Sequence, residues 1–366
     1  MLICLTLFLC GCGKESTNDV LNDFKTKIKD SKSYKVSGTM EIRNDEETFT
    51  YSLESYYLKE NYYKVKLVNQ TNNHEQIILR NQEDIYVITP ALNKSFKFQS
   101  DWPENSSQAY LLGSILNDIE SDKNLEIKEN KGYVLKSKVN YPNNNELKYQ
   151  KVYLNTKKEV EKVEVYDDKD IVKIKVVFDK VNLKAGLKEK DFKLEDYIKP
   201  EENTDTPPNE KETCAADNQN CNNANQNINT NNNSEESSTT EKNEESEKTS
   251  SVENIIYPLY IPSNTYLTSS EKVDTGTGNR IILTFSGEKN FVLIEEVAMA
   301  NKEMEIIPVY GEPLMLSESI GALSANSLSW DVDDVSYYLA STELTVSEML
   351  SIANSLGNTT LVANTK

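Results

Sequence analysis

A chain of 366 residues has room for two ordinary domains. Its formal net charge of −19 excludes a nucleic-acid-binding role, because phosphate contacts need clustered Lys and Arg. One histidine and five cysteines leave little material for nucleophilic catalysis or a metal centre, and no cofactor is expected.

Leu2 to Cys10 form a short apolar run ending in Leu9-Cys10-Gly11-Cys12, after which the sequence turns polar. That order resembles a bacterial lipoprotein signal, in which the cysteine after the cut takes a diacylglyceryl group. The run is far shorter than the roughly 20 apolar residues needed to span a bilayer. The expected anchor is therefore lipid on Cys12, whose two acyl chains hold stably. Nothing basic lies between Met1 and Cys10, and the alternative is an ordinary secretory signal, which Leu9 fits poorly. The lipoprotein reading places the protein on the outer face of the cytoplasmic membrane.

Val20, Leu21, Phe24 and Ile28 then recur at helical spacing. From Tyr34 to Phe192 short strands alternate with Asn, Asp, Gly and Lys-rich turns. Phe49, Tyr51, Leu53 and Tyr57 share one parity, as do Tyr63, Val65 and Leu67, and Val172, Ile174, Val176 and Phe178. Period-2 alternation predicts an antiparallel sheet with one covered face. Asn143-Asn144-Asn145 and Asp167-Asp168-Lys169-Asp170 fit hairpin turns. A second helix is expected through Tyr110, Leu111, Ser114, Ile115 and Ile119, just after Trp102-Pro103. Trp102 reads as a plug between helix and sheet or as a lining residue of an apolar cavity, together with Tyr110, Leu111 and Ile115.

Between 199 and 254 the composition cannot bury enough apolar area to offset the entropy of ordering, which predicts a flexible linker that lets a second domain move. Cys214 and Cys221 lie in it. A local disulfide and two free thiols both remain open; a metal site lacks ligands. Beyond it, Arg280 to Phe285 and Asn290 to Glu295 read as strands joined at Ser286-Gly287-Glu288-Lys289, and Leu328 to Asp331 and Val335 to Ala340 as a second pair. Thr345 and Glu348 form a capping box for a helix through Leu356 that stops at Gly357. Four segments are thus expected: a signal over 1–12, a first domain over 15–198, a linker over 199–254 and a second domain over 255–366.

Catalytic motifs are missing. No G-x-S-x-G elbow, Walker A loop or H-E-x-x-H occurs, His74 reads as a solvated loop residue, and Asp331-Val332-Asp333-Asp334 reads as a turn rather than a calcium loop. A non-enzymatic protein is expected.

Asp84 to Pro90, Asn93 to Lys97, Asp101-Trp102-Pro103 and Ser107 to Leu112 together resemble the LolA/LolB-like lipoproteins of spore-forming Gram-positive bacteria, including the GerS-type germination lipoproteins. Val152 to Asn155, Val163 to Asp167 and Leu187 to Phe192 look like closing strands of that fold. The resemblance covers roughly 15–195. Ile294-Glu295-Glu296, Ser329-Trp330, Tyr337-Tyr338-Leu339 and the final helix are similar to a domain of unknown function, DUF4367. The resemblance implies an α+β architecture: an antiparallel LolA-like half-barrel covered by helices, plus a smaller C-terminal α+β domain. It implies a binding role for a lipid or protein partner in envelope, sporulation or germination processes. True LolA is soluble and shuttles lipoproteins, whereas this chain reads as tethered. The alternatives are an RseB/MucB-like sensor that regulates an anti-sigma factor and, less in keeping with the residues, a wall hydrolase.

Overall fold

The structure, a computed structural model, describes residues 16–44, 47–82, 84–198, 252, 254–276 and 278–356. Cys12, Cys214, Cys221 and Gly357 lie outside the described residues.

Helix α1 (Thr17–Lys29) starts where Ser16 and Asp19 exchange the two bonds of a capping box, and Lys27 and Lys29 sit in its last turn, where cations suit the helix dipole. Its buried face is Val20, Phe24 and Ile28, the expected stripe. Strands β1 (Ser33–Arg43), β2 (Thr48–Leu58), β3 (Tyr62–Asn69), β4 (Glu75–Asn81), β5 (Asp84–Thr89) and β6 (Lys94–Phe98) follow as antiparallel neighbours. After α2 (Leu112–Ser121) come β7 (Glu126–Glu129), β8 (Tyr133–Lys138), β9 (Tyr149–Leu154), β10 (Val160–Tyr166) and β11 (Val172–Asn182). β11 pairs with β1 and closes the order β6-β5-β4-β3-β2-β1-β11-β10-β9-β8-β7. At Ser37/Gly38 the β1–β11 register shifts, and a side chain at 38 would stand 1.9 Å from the Val177 carbonyl oxygen. Only glycine fits there.

The parity predicted for these strands is the one buried. Tyr51, Leu53, Val65, Leu67, Val176 and Phe178 share a core with Val20 and Phe24 of α1 and Leu112, Ile115 and Ile119 of α2. Three expectations change. The sheet is covered on one face only in part: β4 and β5 are buried on both, because Ile77, Leu79, Tyr86 and Ile88 pack at the back against Phe192 and Leu194. Residues 187–192 are not a closing strand; Glu189–Phe192 is a short 3-10 turn that supplies this backing. Tyr110 and Leu111 precede α2, since Leu111 is its extended cap residue.

The second half contains β12 (Thr265–Asp274), β13 (Asn279–Gly287), β14 (Phe291–Val297), β15 (Glu305–Val309), β16 (Gly311–Met315), β17 (Ile320–Ser324), β18 (Ser327–Val332), β19 (Val335–Ala340) and α3 (Val346–Asn354). The second sheet runs β12-β13-β14-β19-β18-β17-β16. The hairpin at 286–289, the β18–β19 pair and the Thr345/Glu348 capping box all form as predicted. Strand therefore dominates, in two sheets, with few helices.

β15 leaves its own sheet and adds to β6 in parallel, then passes through exposed Tyr310 into β16. One extended segment thus edges both sheets. The expected freely moving second domain gives way to this arrangement: the chain on either side of 200–249 packs as one compact unit. Polar pairings far apart in sequence join the halves. The Gln76 amide accepts from the Ile320 N–H at 2.6 Å and donates to its carbonyl at 3.3 Å, and Tyr51 Oη donates to the Ser317 carbonyl at 2.6 Å.

Candidate functional site

A cleft of about 540 Å³ opens between the two sheets. Its apolar wall includes Ile42 of β1, Ile78 of β4, Trp102, Leu314 of β16 and Ile320 of β17. Polar groups ring it: Arg43, Gln108, Asn143, Lys173, Glu312 and Asn354. Asn105 and Asn143 both donate side-chain N–H groups to the Glu312 carboxylate, which fixes it at the rim.

Trp102 is 1% exposed; it belongs to the first core and is also among the residues that line the cleft. A row of rings positions it: Tyr34 stacks on Tyr57 at 4.9 Å, Tyr57 meets Tyr63 at 5.2 Å, and Tyr63 meets the Trp102 ring edge-on at 6.0 Å. The Trp102 carbonyl accepts from the buried Arg80 guanidinium. Tyr110 also lines the cleft and donates its hydroxyl to Gln108. Leu111 and Ile115 do not line it. They are buried in the core instead, because the extended Leu111 and the first turn of α2 point their side chains into the helix–sheet interface.

Several buried polar groups were invisible to sequence reasoning. Asp331 of β18 is fully buried; it accepts from Lys94 of β6 at 2.9 Å and from Ser336 Oγ, so the expected turn begins only at Asp333. Burial also corrects the solvated reading of His74: Nε2 is enclosed without a partner, and desolvation holds its pKa below the usual imidazole value. Desolvation pushes Asp118, Glu295 and Glu318 up to about 7. No cation offsets it at the first two; their partners are Ser107 and Gln150 for Asp118, and the Ile256 N–H for Glu295. Around Glu318, Asp333 and Glu47 add repulsion. Among the described residues, no three His, Cys, Asp or Glu side chains gather as a metal site.

These carboxyls bind a proton more tightly folded than unfolded, so their stabilisation is complete below the ordinary carboxyl pKa and is lost as pH rises through about 7. Thermal melts are expected to show Tm falling from mildly acidic to mildly alkaline pH. Glu295→Gln is expected to flatten that slope by about 2 kcal/mol across the window. An unchanged slope would remove Glu295 from the account.

The family model for YdcC-like sporulation proteins matches residues 1–192. Over 353 residues the chain is 34% identical to sporulation protein YdcC of Bacillus subtilis (strain 168), covering 96% of this chain and 93% of that one. Similar solved structures include the Pseudomonas aeruginosa MucA/MucB complex, at 11% identity and a TM-score of 0.31 over 91% of this chain and 97% of that chain. Another is the CwlD amidase of Clostridioides difficile in complex with the GerS lipoprotein, at 19% identity and a TM-score of 0.28 over 45% of this chain and 95% of that chain. A LolA superfamily protein from Nitrosomonas europaea is a further neighbour, at 12% identity and a TM-score of 0.30 over 50% of this chain and 99% of that chain. On the family match and the near-full-length relative, the chain belongs to the YdcC-like sporulation proteins.

Proposed function

We propose that this member of the family is a membrane-tethered binding protein without catalytic activity, moored through Cys12 on the outer face of the cytoplasmic membrane. In this reading the first sheet and its two helices act as a half-barrel, and the cleft beside it receives the apolar part of a ligand or partner during sporulation. The cleft itself carries the reading. Its volume of about 540 Å³ falls in the range of ligand sites, with an apolar wall and a few fixed polar groups at the rim.

Native mass spectrometry of the full chain carrying Cys12→Ser tests the binding role. A co-purifying apolar molecule lost on denaturation is the expected result. An empty chain that instead forms a stable complex with a membrane-bound anti-sigma factor would replace it with the sensor alternative. Reproducible peptidoglycan cleavage by the purified protein would overturn the non-enzymatic reading. For the tether, Cys12→Ser is expected to move the protein from the membrane fraction to the soluble fraction, because removing two acyl chains removes the anchoring free energy. Unchanged membrane retention would refute it.

A further inference from the structure

One acid at the rim of the cleft is set up for a partner that the described chain does not supply. Glu312 of β16 accepts from Asn105 Nδ2 on Oε2 and from Asn143 Nδ2 on Oε1. The two amides come from different loops, one between β6 and α2, the other between β8 and β9. Both donors are neutral, and among the described residues no lysine, arginine or histidine pairs with this carboxylate. A carboxylate offers about four lone-pair positions, so about two stay open after these bonds.

Asn105 turns Nδ2 to Glu312 although its own Oδ1 stays enclosed without a donor. An unmatched buried acceptor costs free energy, so the arrangement gives up one bond to hold the carboxylate in place. Glu312 is half-buried and lines the same cleft as the apolar Trp102, Leu314 and Ile320. The other charged groups of the cleft stand on other elements: Arg43 and Lys173 on β1 and β11, whose Ile42 and Ile174 are paired, and the exposed Glu146 on the loop before β9. A protonated amine brings a positive charge and several N–H donors to the open lone pairs of Glu312, whereas a hydroxyl brings one uncharged donor and an anionic head is repelled.

We propose that Glu312 selects the head group of the ligand: the cleft takes an amphiphile that carries a protonated amine, with the ammonium at Glu312 and the apolar chain against the Trp102 wall. This rests on the reading of the cleft as the ligand site, and the test separates the two.

Octylammonium and octan-1-ol share one apolar chain and differ in the head. Both are titrated by calorimetry at neutral pH into the full chain carrying Cys12→Ser, and into the same chain carrying Glu312→Gln as well. Both probes should bind the first chain, octylammonium roughly tenfold tighter, because hydrogen bonds to charged groups exceed neutral ones by that order. Glu312→Gln should bring octylammonium down to the level of octan-1-ol and leave octan-1-ol itself within about twofold. If octan-1-ol binds and octylammonium binds no tighter, the proposal falls and the cleft stands as a ligand site. A preference that persists in Glu312→Gln belongs to another acid and overturns the proposal. So does loss of both probes in a variant whose circular dichroism is unchanged, which would make Glu312 a clip between the cleft walls. Trimethyloctylammonium, a cation without N–H donors, gives a reading that needs no variant: weaker binding than octylammonium is expected, and equal binding overturns the proposal. Binding of no probe to the first chain removes the ligand-site reading, and the proposal with it.

Discussion

Lys94→Met is expected to lower stability by about 3–5 kcal/mol, read as a drop in the urea midpoint, because it leaves the buried Asp331 carboxyl without the cation paired with it. The lysine side chain is 15% exposed and the aspartate 0%, so water does not replace the lost partner. The pair also spans the two sheets, from β6 to β18, and Lys94 lies over the Phe96 ring at 5.0 Å. The double variant Lys94→Met/Asp331→Asn should recover a large part of the loss, since removing both charges removes the stranded one and leaves Ser336 an acceptor. If the single and double variants unfold at the same midpoint, the pair does not hold the halves together.

Trp102→Ala is expected to cost a similar amount, about 3–5 kcal/mol, and to enlarge the cleft. The indole ends the ring row through Tyr34, Tyr57 and Tyr63, so truncation leaves Tyr63 without its edge-on neighbour. Trp102→Phe keeps a ring against Tyr63 and should cost well under half as much. The Arg80 contact is to the Trp102 backbone carbonyl and survives either change. A ligand retained by the parent chain and lost by Trp102→Ala, at a temperature where the variant is still folded, would tie the residue to binding. An alanine variant as stable as the parent would mean that the ring is not packing against the core.

Much of the local structure could be read directly. α1, α3 and the hairpins at 143–145, 167–170 and 286–289 are governed by contacts within a few residues, and there the expected stripe of α1, the expected N-terminal capping box of α3 and the expected turns form. β15 and β16 had no such signature. Pro308 and Pro313 interrupt the alternation, and proline is tolerated in strands at a sheet edge, the place these two take. Of the cleft only Trp102 and Tyr110 were legible, because they announce themselves as large aromatic residues, whereas Glu312 and Ile320 join them only through the crossover of β15 and β16.

What the residue pattern by itself determined was the class of elements, their buried faces and the scarcity of catalytic groups. Tertiary structure alone decided that β15 would join the first sheet, that residues 187–197 would back β4 and β5, and that Asp118, Glu295 and Asp331 would be taken out of water. The physical reason is range. Capping, alternation and turn chemistry act over two to five residues, whereas desolvation of a carboxyl depends on neighbours brought in from across the chain, as Lys94 is to Asp331.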